Sequence, residues 1–447
     1  MRLKSFRNNN IDTENIFMDT LIKIIKRPIP EKVFKVVQPA YHYFFALASA
    51  IYYRHPSRDI KVIFITGTKG KSSTTEILNA ILEGAGKKTA MAGTIRFKIG
   101  DVSTPNKYKM SVPGRGFIQK FLRQAVDAGC EYAVLEMTSE AAKQHRHRFI
   151  DVNALIFLNI SPEHIESHGG FDNYLAAKLL LAQALQHSSK RPRIIIANSD
   201  DKEHQKFLDI DVEQKVTFSL KQAEPYTLDH YGLYMTYKGT NLRSHLQGVF
   251  NVSNILAALS YAETEGITPK TAQLGLNKLE QISGRVQKIV LPKSNPLSKK
   301  QDFTVVVDYA HTADSLEKIY GVFKDSKKIG VLGNTGGGRD KWKRPEMAKV
   351  ANDNCSHIIL TNEDPYDEDP LQIINDMLPG ITSTPYEIIM NRREAIHQAI
   401  SLAKTGDTVI ISGKGTDPYI MEANGKKTPW SDAQVAEEEL EKILVGK

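Results

Sequence analysis

A run of apolar residues, a glycine-bearing turn and a helical pattern follow one another in residues 62–82, VIFITGTKGKSSTTEILNAIL. Such a turn presents backbone N–H groups and the positive end of a helix to an anion. Gly67 and Gly70 let the backbone approach a phosphate, while Lys71 reaches its oxygens and Ser72 can hold Mg²⁺. The strict phosphate-loop pattern fails at its first position, where Ile65 stands. We nevertheless predict nucleotide binding, because the strand and helix supply the context the motif needs.

Apolar strand-like runs alternate with helical periodicity along the chain, which is typical of parallel sheets covered by helices. One series of predicted strands comprises residues 62–66, 132–137, 154–159 and 193–198. A second series comprises residues 303–308, 328–333, 357–361 and 408–412. A loop rich in Pro, Ser and Lys at 291–302 lies between them. We therefore predict an α/β protein with a short basic helical segment (1–58), a central nucleotide-binding domain with a mostly parallel sheet (59–286) and a Rossmann-like C-terminal domain (287–447).

The net charge of +8 is concentrated near the N-terminus. Residues 1–61 contain 11 Lys and Arg against 5 Asp and Glu, so +6 of the total lies there and about +2 is left for the other 386 residues. This distribution argues against a basic groove for nucleic acid. Two cysteines and a polar start without a signal sequence predict a cytoplasmic protein.

Residues 40–53, AYHYFFALASAIYY, form the most apolar stretch near the N-terminus. They are too few to span a bilayer, which needs about 20 residues. We interpret them as a buried or interfacial helix. Their basic flanks leave open peripheral contact with an anionic membrane surface.

Further polar residues follow two predicted strands. Glu136 ends one strand, and a carboxylate buried there needs a cation or a donor. His164, Glu166 and His168 follow the next strand, and Lys178 lies on the helix after them. The absence of cysteine partners and the glycine pair that follows argue against structural zinc and favour Mg²⁺.

Seven motifs in order, from about residue 60 to the C-terminus, resemble those of the Mur ligases, most closely the type that adds the third amino acid of the peptidoglycan peptide. ITGTKGKSS resembles TGTNGKT, LEMTSE resembles E-V-S-S-H, and NISPEHIESHG resembles N-L-x-x-D-H-L-D-x-H-G. YLAAK matches the family's carbamylated lysine, while GVFNVSN with SGR resembles the end of its ATPase domain. DYAHTADSLEK and GNTGGGRDKWKRPEMA are similar to C-terminal motifs of the tripeptide synthetases.

The resemblance implies roles for individual residues. Those expected to be catalytic are Lys71, Glu136, His164 and Lys178. Those expected to contact ATP are Gly67, Thr68, Gly70, Lys71, Ser72, Ser73, Asn251, Asn254, Arg285, Asp308, His311 and Arg339. Those expected to bind two Mg²⁺ ions are Ser72, Glu136, His164 and Lys178, the last carbamylated by CO₂. Those expected to contact the substrates are Ser111, Thr138, Ser139, Lys343, Arg344, Glu363, Asp364, Tyr366, Gly413 and Asp417.

The resemblance also implies a reaction. ATP phosphorylates the carboxylate of UDP-N-acetylmuramoyl-L-alanyl-D-glutamate, and a free diamino acid attacks the acyl phosphate. Two departures from the family pattern bear on the substrates. Fewer than 60 residues precede the ATPase domain, so recognition of UDP is expected to differ. Tyr366 replaces the arginine that clamps diaminopimelate, and the acids Glu363, Asp364 and Asp417 nearby predict a preference for lysine or ornithine.

Alternatives remain at this point. A related ligase could act on another carboxylate and amino acid. A non-catalytic regulatory protein of this fold, or a membrane-associated interaction protein that uses its N-terminal helix, would retain the architecture without the reaction.

Overall fold

The computed structural model describes residues 31–114, 116–162, 168–338 and 341–446, with the main chain alone for residues 31–40. The predicted α/β fold class is confirmed: two mostly parallel sheets follow one another along the chain. Every predicted strand is present, with its ends shifted by one or two residues. The larger sheet lies before the predicted boundary near residue 286 and the second lies after it.

Eight strands form the first sheet. They are β1 (Lys61–Thr66), β2 (Thr89–Ala92), β3 (Arg96–Ile99), β4 (Val102–Pro105), β5 (Tyr132–Glu136), β6 (Ala154–Phe157), β7 (Ile194–Asn198) and β8 (Gln214–Phe218). Their order is β4-β3-β2-β5-β1-β6-β7-β8. The strands from β2 to β8 in this order run parallel, and β3 with β4 adds an antiparallel edge. Loops after β2, β5, β1 and β6 therefore meet at one edge of the sheet.

Helices cover both faces of this sheet. Those described before the second sheet are α1 (Glu31–Tyr52), α2 (Lys71–Gly84), α3 (Phe117–Asp127), α4 (Ser139–Lys143), α5 (Phe171–Gln186), α6 (His204–Leu208), α7 (Val249–Thr264) and α8 (Pro269–Lys278). Successive residues of β1 point to opposite faces, so Ile63 and Ile65 pack with α2 and α7. Val62 and Phe64 pack with α3 and α5 on the other face. An antiparallel sheet, β9 (Tyr226–Asp229), β10 (Gly232–Tyr237) and β11 (Thr240–Ser244), completes this region.

The second sheet has six strands. They are β12 (Gln287–Lys288), β13 (Thr304–Val307), β14 (Lys328–Leu332), β15 (His357–Leu360), β16 (Tyr386–Ile388) and β17 (Thr408–Ile411). Their order is β12-β13-β17-β14-β15-β16, and all but β12 run parallel. The helices of this part are α9 (Ala313–Val322), α10 (Lys343–Asn354), α11 (Pro370–Asn375), α12 (Arg392–Leu402) and α13 (Asp432–Gly446). A hairpin of β18 (Tyr419–Met421) and β19 (Lys427–Pro429) follows β17.

Short 3₁₀ helices connect several of these elements. They are Pro56–Arg58, Leu220–Ala223, Pro296–Lys300, Leu378–Gly380 and Ala423–Gly425.

The predicted apolar stretch 40–53 largely forms the end of α1. Ser49 and Ala50 are buried, whereas Phe44 is 66% and Tyr52 78% exposed. This end of the helix therefore lies on the protein surface with part of its apolar face uncovered. None of the described helices has the length and apolar character needed to cross a membrane.

Candidate active site

The glycine turn joins β1 to α2 as predicted, and its shape depends on Gly70. Gly70 has φ of +84°, which favours glycine, and an added Cβ would lie 2.4 Å from Oδ1 of Asn254. The ammonium of Lys71 folds back over the turn and donates to the carbonyl oxygens of Gly67, at 3.0 Å, and Thr68, at 2.9 Å. The first turn of α2 directs its backbone N–H groups toward the same place. This geometry is that of a phosphate-binding loop.

Two asparagines of α7 support the turn from the side. Asn254 Oδ1 accepts a hydrogen bond from Thr74 Oγ1 at 3.2 Å, and its amide donates to Asn251 Oδ1 at 3.0 Å. Asn251 in turn donates to the carbonyl oxygen of Gln247 at 2.7 Å. Both asparagines are buried. The structure thus brings these two predicted ATP contacts against the loop itself.

The buried carboxylate of Glu136 lies beside the start of α2. Its Oε2 accepts from Ser72 Oγ at 3.0 Å and from the Thr94 N–H at 2.9 Å. Its Oε1 accepts from Thr94 Oγ1 at 2.9 Å and from Ser111 Oγ at 2.8 Å. Ser72 and Glu136 offer the hard oxygen donors that Mg²⁺ prefers. Within the described residues no three His, Cys, Asp or Glu side chains gather as metal ligands, so this pair is a partial donor set.

Lys178 approaches the phosphate loop from α5. Its side chain is 1% exposed, and its Nζ donates to the Gly67 carbonyl oxygen at 2.8 Å. The ring of Tyr174 lies beneath it, with 4.7 Å from Nζ to the ring centroid. Tyr174 also hydrogen-bonds Thr68 Oγ1 at 3.1 Å. Lys178 is therefore a buried residue fixed at the phosphate loop and not a solvent-exposed lysine on the helix surface.

The segment after β5 places two more predicted residues nearby. Thr138 caps α4 by accepting from the Ala141 N–H at 3.1 Å. Ser139 is buried and its hydroxyl hydrogen-bonds Nε2 of His168 at 3.1 Å. The predicted ligand His164 lies outside the described residues, as does Arg339.

The phosphate loop also contacts the second sheet region. Lys69, which stands where the family pattern has asparagine, forms an ion pair with Asp314 of α9 and donates to Thr312 Oγ1 at 3.2 Å. Burial works to raise the pKa of Asp314, but hydrogen bonds from Lys69 and Lys318 outweigh it and hold that pKa below its usual range. On its other side, Asn159 accepts from the Lys69 N–H at 2.9 Å. One lysine thus connects the nucleotide loop to the C-terminal region.

The junction between the two sheets contains three predicted ATP contacts. Arg285 stacks over the ring of Tyr309, with 4.5 Å to the centroid. Asp308 accepts from the N–H groups of Val286 and Ala310, each at 2.7 Å, and so fixes the turn after β13. His311 bonds the Tyr309 carbonyl oxygen at 2.7 Å.

Four charged side chains meet at the carboxyl edge of the second sheet. Asp364, 3% exposed, accepts from Lys414 at 2.8 Å and from Lys109 of the first sheet region at 2.6 Å. Asp417 lies 3.0 Å from Lys109 and 3.7 Å from Lys414. Burial works to raise the pKa of Asp364, but Lys414 and Lys109 keep it below its ordinary value. The expectation of excess negative charge at Asp364 and Asp417 is therefore wrong, because the charges of Lys109 and Lys414 balance them.

Glu363 lies deeper than this group. Its Oε1 accepts from Thr335 Oγ1 at 2.8 Å, and burial raises its pKa. Its Oε2 has no partner among the described residues and lies 2.2 Å from where a Cβ of Gly413 would be. Gly413 is therefore needed so that this carboxyl fits. Tyr366, at φ +52°, packs next to Gly337.

The remaining predicted residues lie on α10. Lys343 is its first residue. Arg344 is fully buried and donates to Asp376 at 2.7 Å and Glu368 at 3.0 Å. Both partners belong to the C-terminal region, which is the pattern of a structural residue. Arg392 of α12 is likewise buried, in a two-point pair with Asp432 at 2.7 and 2.8 Å.

Sequence reasoning missed three residues that organise the site: Thr94, Asn159 and Lys109. Each follows a strand or hairpin of the first sheet. Thr94 and Asn159 lie just beyond the carboxyl ends of β2 and β6, and this position after a strand could have identified them from the sequence as candidate site residues. Lys109 had none, because its partners are more than 250 residues away in the chain.

Comparison with known proteins agrees with this geometry. The pattern of the Mur ligase middle domain matches residues 65–262, and that of the Mur ligase glutamate ligase domain matches residues 294–415. The chain is 35% identical over 416 residues to a UDP-N-acetylmuramoyl-L-alanyl-D-glutamate–2,6-diaminopimelate ligase of Syntrophomonas wolfei, covering 90% of this chain and 82% of that protein. The protein belongs to the Mur ligase family. This membership confirms the predicted family and the prediction of an ATP-dependent, ADP-forming ligase.

A second relative and two solved structures are also similar to this Mur ligase. A Bacillus velezensis protein of the same name is 34% identical over 404 residues, covering 88% of this chain and 80% of its own. A solved structure of such a ligase is 27% identical with a TM-score of 0.58, covering 86% of this chain and 78% of that one. The Mycobacterium tuberculosis folylpolyglutamate synthase complexed with ADP, 15% identical with a TM-score of 0.63, covers 85% and 93% and shares the fold.

Proposed function

We propose that this Mur ligase adds a diamino acid to UDP-N-acetylmuramoyl-L-alanyl-D-glutamate in peptidoglycan precursor synthesis. The observation that carries the proposal is the contact between the Ser72 hydroxyl and the Glu136 carboxylate, 3.0 Å apart at the head of a phosphate loop. The names of the relatives support the choice of substrates, because the chain spans about four fifths of their length.

The loop residues fit the first half of the reaction. Phosphoryl transfer to a carboxylate depends mainly on positioning and on neutralising crowded oxygens. Lys71 lies directly over the loop, where the phosphates of ATP would displace its contacts with the Gly67 and Thr68 carbonyl oxygens. Mg²⁺ held by Ser72 and Glu136 would neutralise charge on the transferred group. Thr94 and Ser111 orient the Glu136 carboxylate by donating to its oxygens.

Lys178 is proposed to act as a carbamate formed with CO₂. Its position supports this role. The amine is buried next to the loop, and reaction with CO₂ would convert it there into an anionic carbamate able to bind a second Mg²⁺. The hydroxyl and ring of Tyr174 shape the space around it. His164, which is outside the described residues, remains the predicted partner ligand.

The C-terminal region is proposed to bring the amino acid to the acyl phosphate. Lys69 and Lys109 reach from the first sheet region to Asp314 and Asp364 of the second, so the two regions are in contact at two places. Contact between them would exclude water from the acyl phosphate and limit its hydrolysis. Arg285, stacked on Tyr309 at this junction, is a proposed ATP contact.

We further propose that the protein works in the cytoplasm and that α1 rests on an anionic membrane surface. Both cysteines are buried free thiols, as expected in a reducing compartment. The exposed side chains Phe44, Ile51 and Tyr52 form the apolar face, and the charge of +6 in residues 1–61 complements anionic lipid. Cosedimentation with phosphatidylglycerol vesicles should be lost in a Phe44→Asp/Tyr52→Asp variant; equal binding of the two proteins would reject the contact.

The test of the main proposal is turnover. The purified protein is incubated with ATP, Mg²⁺, the UDP-muramoyl dipeptide and one diamino acid at a time, and ADP and product mass are measured. ADP release that requires both substrates, with a product heavier by one diamino acid residue, is expected. Release without the amino acid, or no product with any acceptor, would contradict it.

A further inference from the structure

Lys109 sits in a charge cluster formed jointly by both regions of the protein. Its Nζ lies 2.6 Å from Asp364 Oδ2 and 3.0 Å from Asp417 Oδ2. Lys414 contacts the other oxygen of Asp364 at 2.8 Å and the Tyr419 carbonyl oxygen at 2.6 Å. Two cations and two anions therefore balance.

Lys109 and Asp417 each keep binding capacity. An ammonium has three donors, and the ion pairs of Lys109 with Asp364 and Asp417 use two of them. Among the described residues no hydrogen bond reaches Asp417 Oδ1, whereas Oδ2 lies 3.0 Å from Lys109 Nζ. The side chains of Lys109 and Asp417 are 18% and 12% exposed, but that of Lys414 is 0% exposed. An incoming molecule can thus reach the first two groups and cannot reach Lys414.

The cluster is close to the proposed reaction centre. Lys109 is two residues from Ser111, so their Cα atoms are at most about 7 Å apart. Ser111 donates to Glu136 at 2.8 Å. A ligand held by Lys109 is therefore near the metal and phosphate site.

We propose that Lys109 and Asp417 together bind the ammonium and carboxylate of an amino acid, with Asp417 Oδ1 accepting from the ammonium and Lys109 donating to the carboxylate. This inference rests on the proposed function for the fate of that amino acid. When the distal end of a diamino acid is the end bound, Lys109 determines specificity and takes over the role of the arginine that Tyr366 replaces. In that case the preference should be for meso-diaminopimelate rather than for lysine or ornithine, since their lone distal ammonium would add a positive charge to an already balanced cluster, whereas a distal zwitterion adds none.

A zwitterion can come from two parts of a diamino acid. Lysine has one at its reacting end, and meso-diaminopimelate has one at each end. Calorimetric titration of the full-length protein, loaded with a non-hydrolysable ATP analogue and Mg²⁺, with lysine, meso-diaminopimelate and cadaverine separates these sources. Cadaverine has no carboxylate, so its binding should be insensitive to Lys109.

The decisive variant is Lys109→Gln. Its Kd for meso-diaminopimelate should rise about 10-fold or more, the loss expected for a hydrogen bond between charged groups. If the reacting end is bound, the Kd for lysine should rise by the same factor. If the distal end is bound, the Kd for lysine should stay unchanged. Lys107→Gln removes a charge from the exposed part of the same loop and should leave each Kd unchanged. Lys109→Arg should restore most of the affinity.

The outcomes separate the two proposals. Equal Kd values for Lys109→Gln and Lys107→Gln, or no amino-acid binding by the unmodified protein, would overturn the role of Lys109. A Lys109→Arg variant as weak as Lys109→Gln would also overturn it, since packing alone would then explain the loss. Normal amino-acid binding without product formation from the UDP-muramoyl dipeptide would contradict the proposed function and leave the role of Lys109 supported.

Discussion

Gly70→Ala should damage the phosphate loop through two separable effects. The first is backbone strain, since φ of +84° at Gly70 costs alanine about 1–2 kcal/mol. The second is a collision, because the new Cβ would lie 2.4 Å from Asn254 Oδ1. Moving Asn254 breaks its bonds with Thr74 and Asn251, each worth about 0.5–1.5 kcal/mol. The free energy of unfolding should therefore fall by about 2–5 kcal/mol in all.

Gly86→Ala is the matched control. Gly86 follows α2 with φ of +77°, and nothing lies within 4 Å of an added Cβ. The free energy of unfolding of this variant should fall only by the cost of backbone strain, about 1–2 kcal/mol. Urea denaturation followed by circular dichroism gives both values, and titration with a fluorescent ATP analogue should show weaker binding for Gly70→Ala alone.

A third variant tests the collision itself. In an Asn254→Ala background the new Cβ meets no side-chain oxygen, so Gly70→Ala should there cost about as much as Gly86→Ala. If Gly70→Ala is no worse than Gly86→Ala, or if its cost is the same with and without Asn254, the argument from close approach is refuted.

Three further outcomes are expected. Lys71→Ala should abolish ATP turnover while its thermal unfolding midpoint stays near that of the unmodified protein, because Lys71 contributes charge rather than packing; near-normal phosphate release with both substrates would reject the loop assignment. Lys178→Ala should be inactive and partly restored by acetate or formate, whereas an unmodified Lys178 pointing to solvent in crystals of an active preparation would exclude the carbamate. Hydrogen bonds from the backbone N–H of Gly338 and from the side chains of Arg344 and Lys341 lower the pKa of Glu368 to about 2. The Glu368 carboxylate therefore stabilises the fold fully above its unfolded pKa of about 4.3, and this stabilisation is lost as the pH falls toward about 2. Glu368→Gln should flatten the acid side of the stability profile in that window, and an unchanged profile would show that Glu368 carries no such linkage.

The sequence determined the features that depend on local pattern. Strand positions could be predicted within one or two residues because each buried strand is a short apolar run between turns, as in β1 and β14. The phosphate loop could be predicted because its glycines, lysine and serine are adjacent in the chain. The same holds for Glu136, at the end of β5, and for Lys178, on the helix after β6, because motif resemblance identifies both positions from nearby sequence.

The tertiary structure alone decided which charges meet. Asp364 and Asp417 looked from the sequence like an acidic patch that favours a cationic amino acid. Lys109 lies 255 positions before Asp364 and follows a strand of the first sheet, whereas Asp364 follows a strand of the second, and the contact between the two regions places Lys109 Nζ 2.6 Å from Asp364 Oδ2. A carboxylate's electrostatic effect depends on the distance to its nearest cation, and here that distance follows from how the two sheet regions pack together rather than from spacing along the chain.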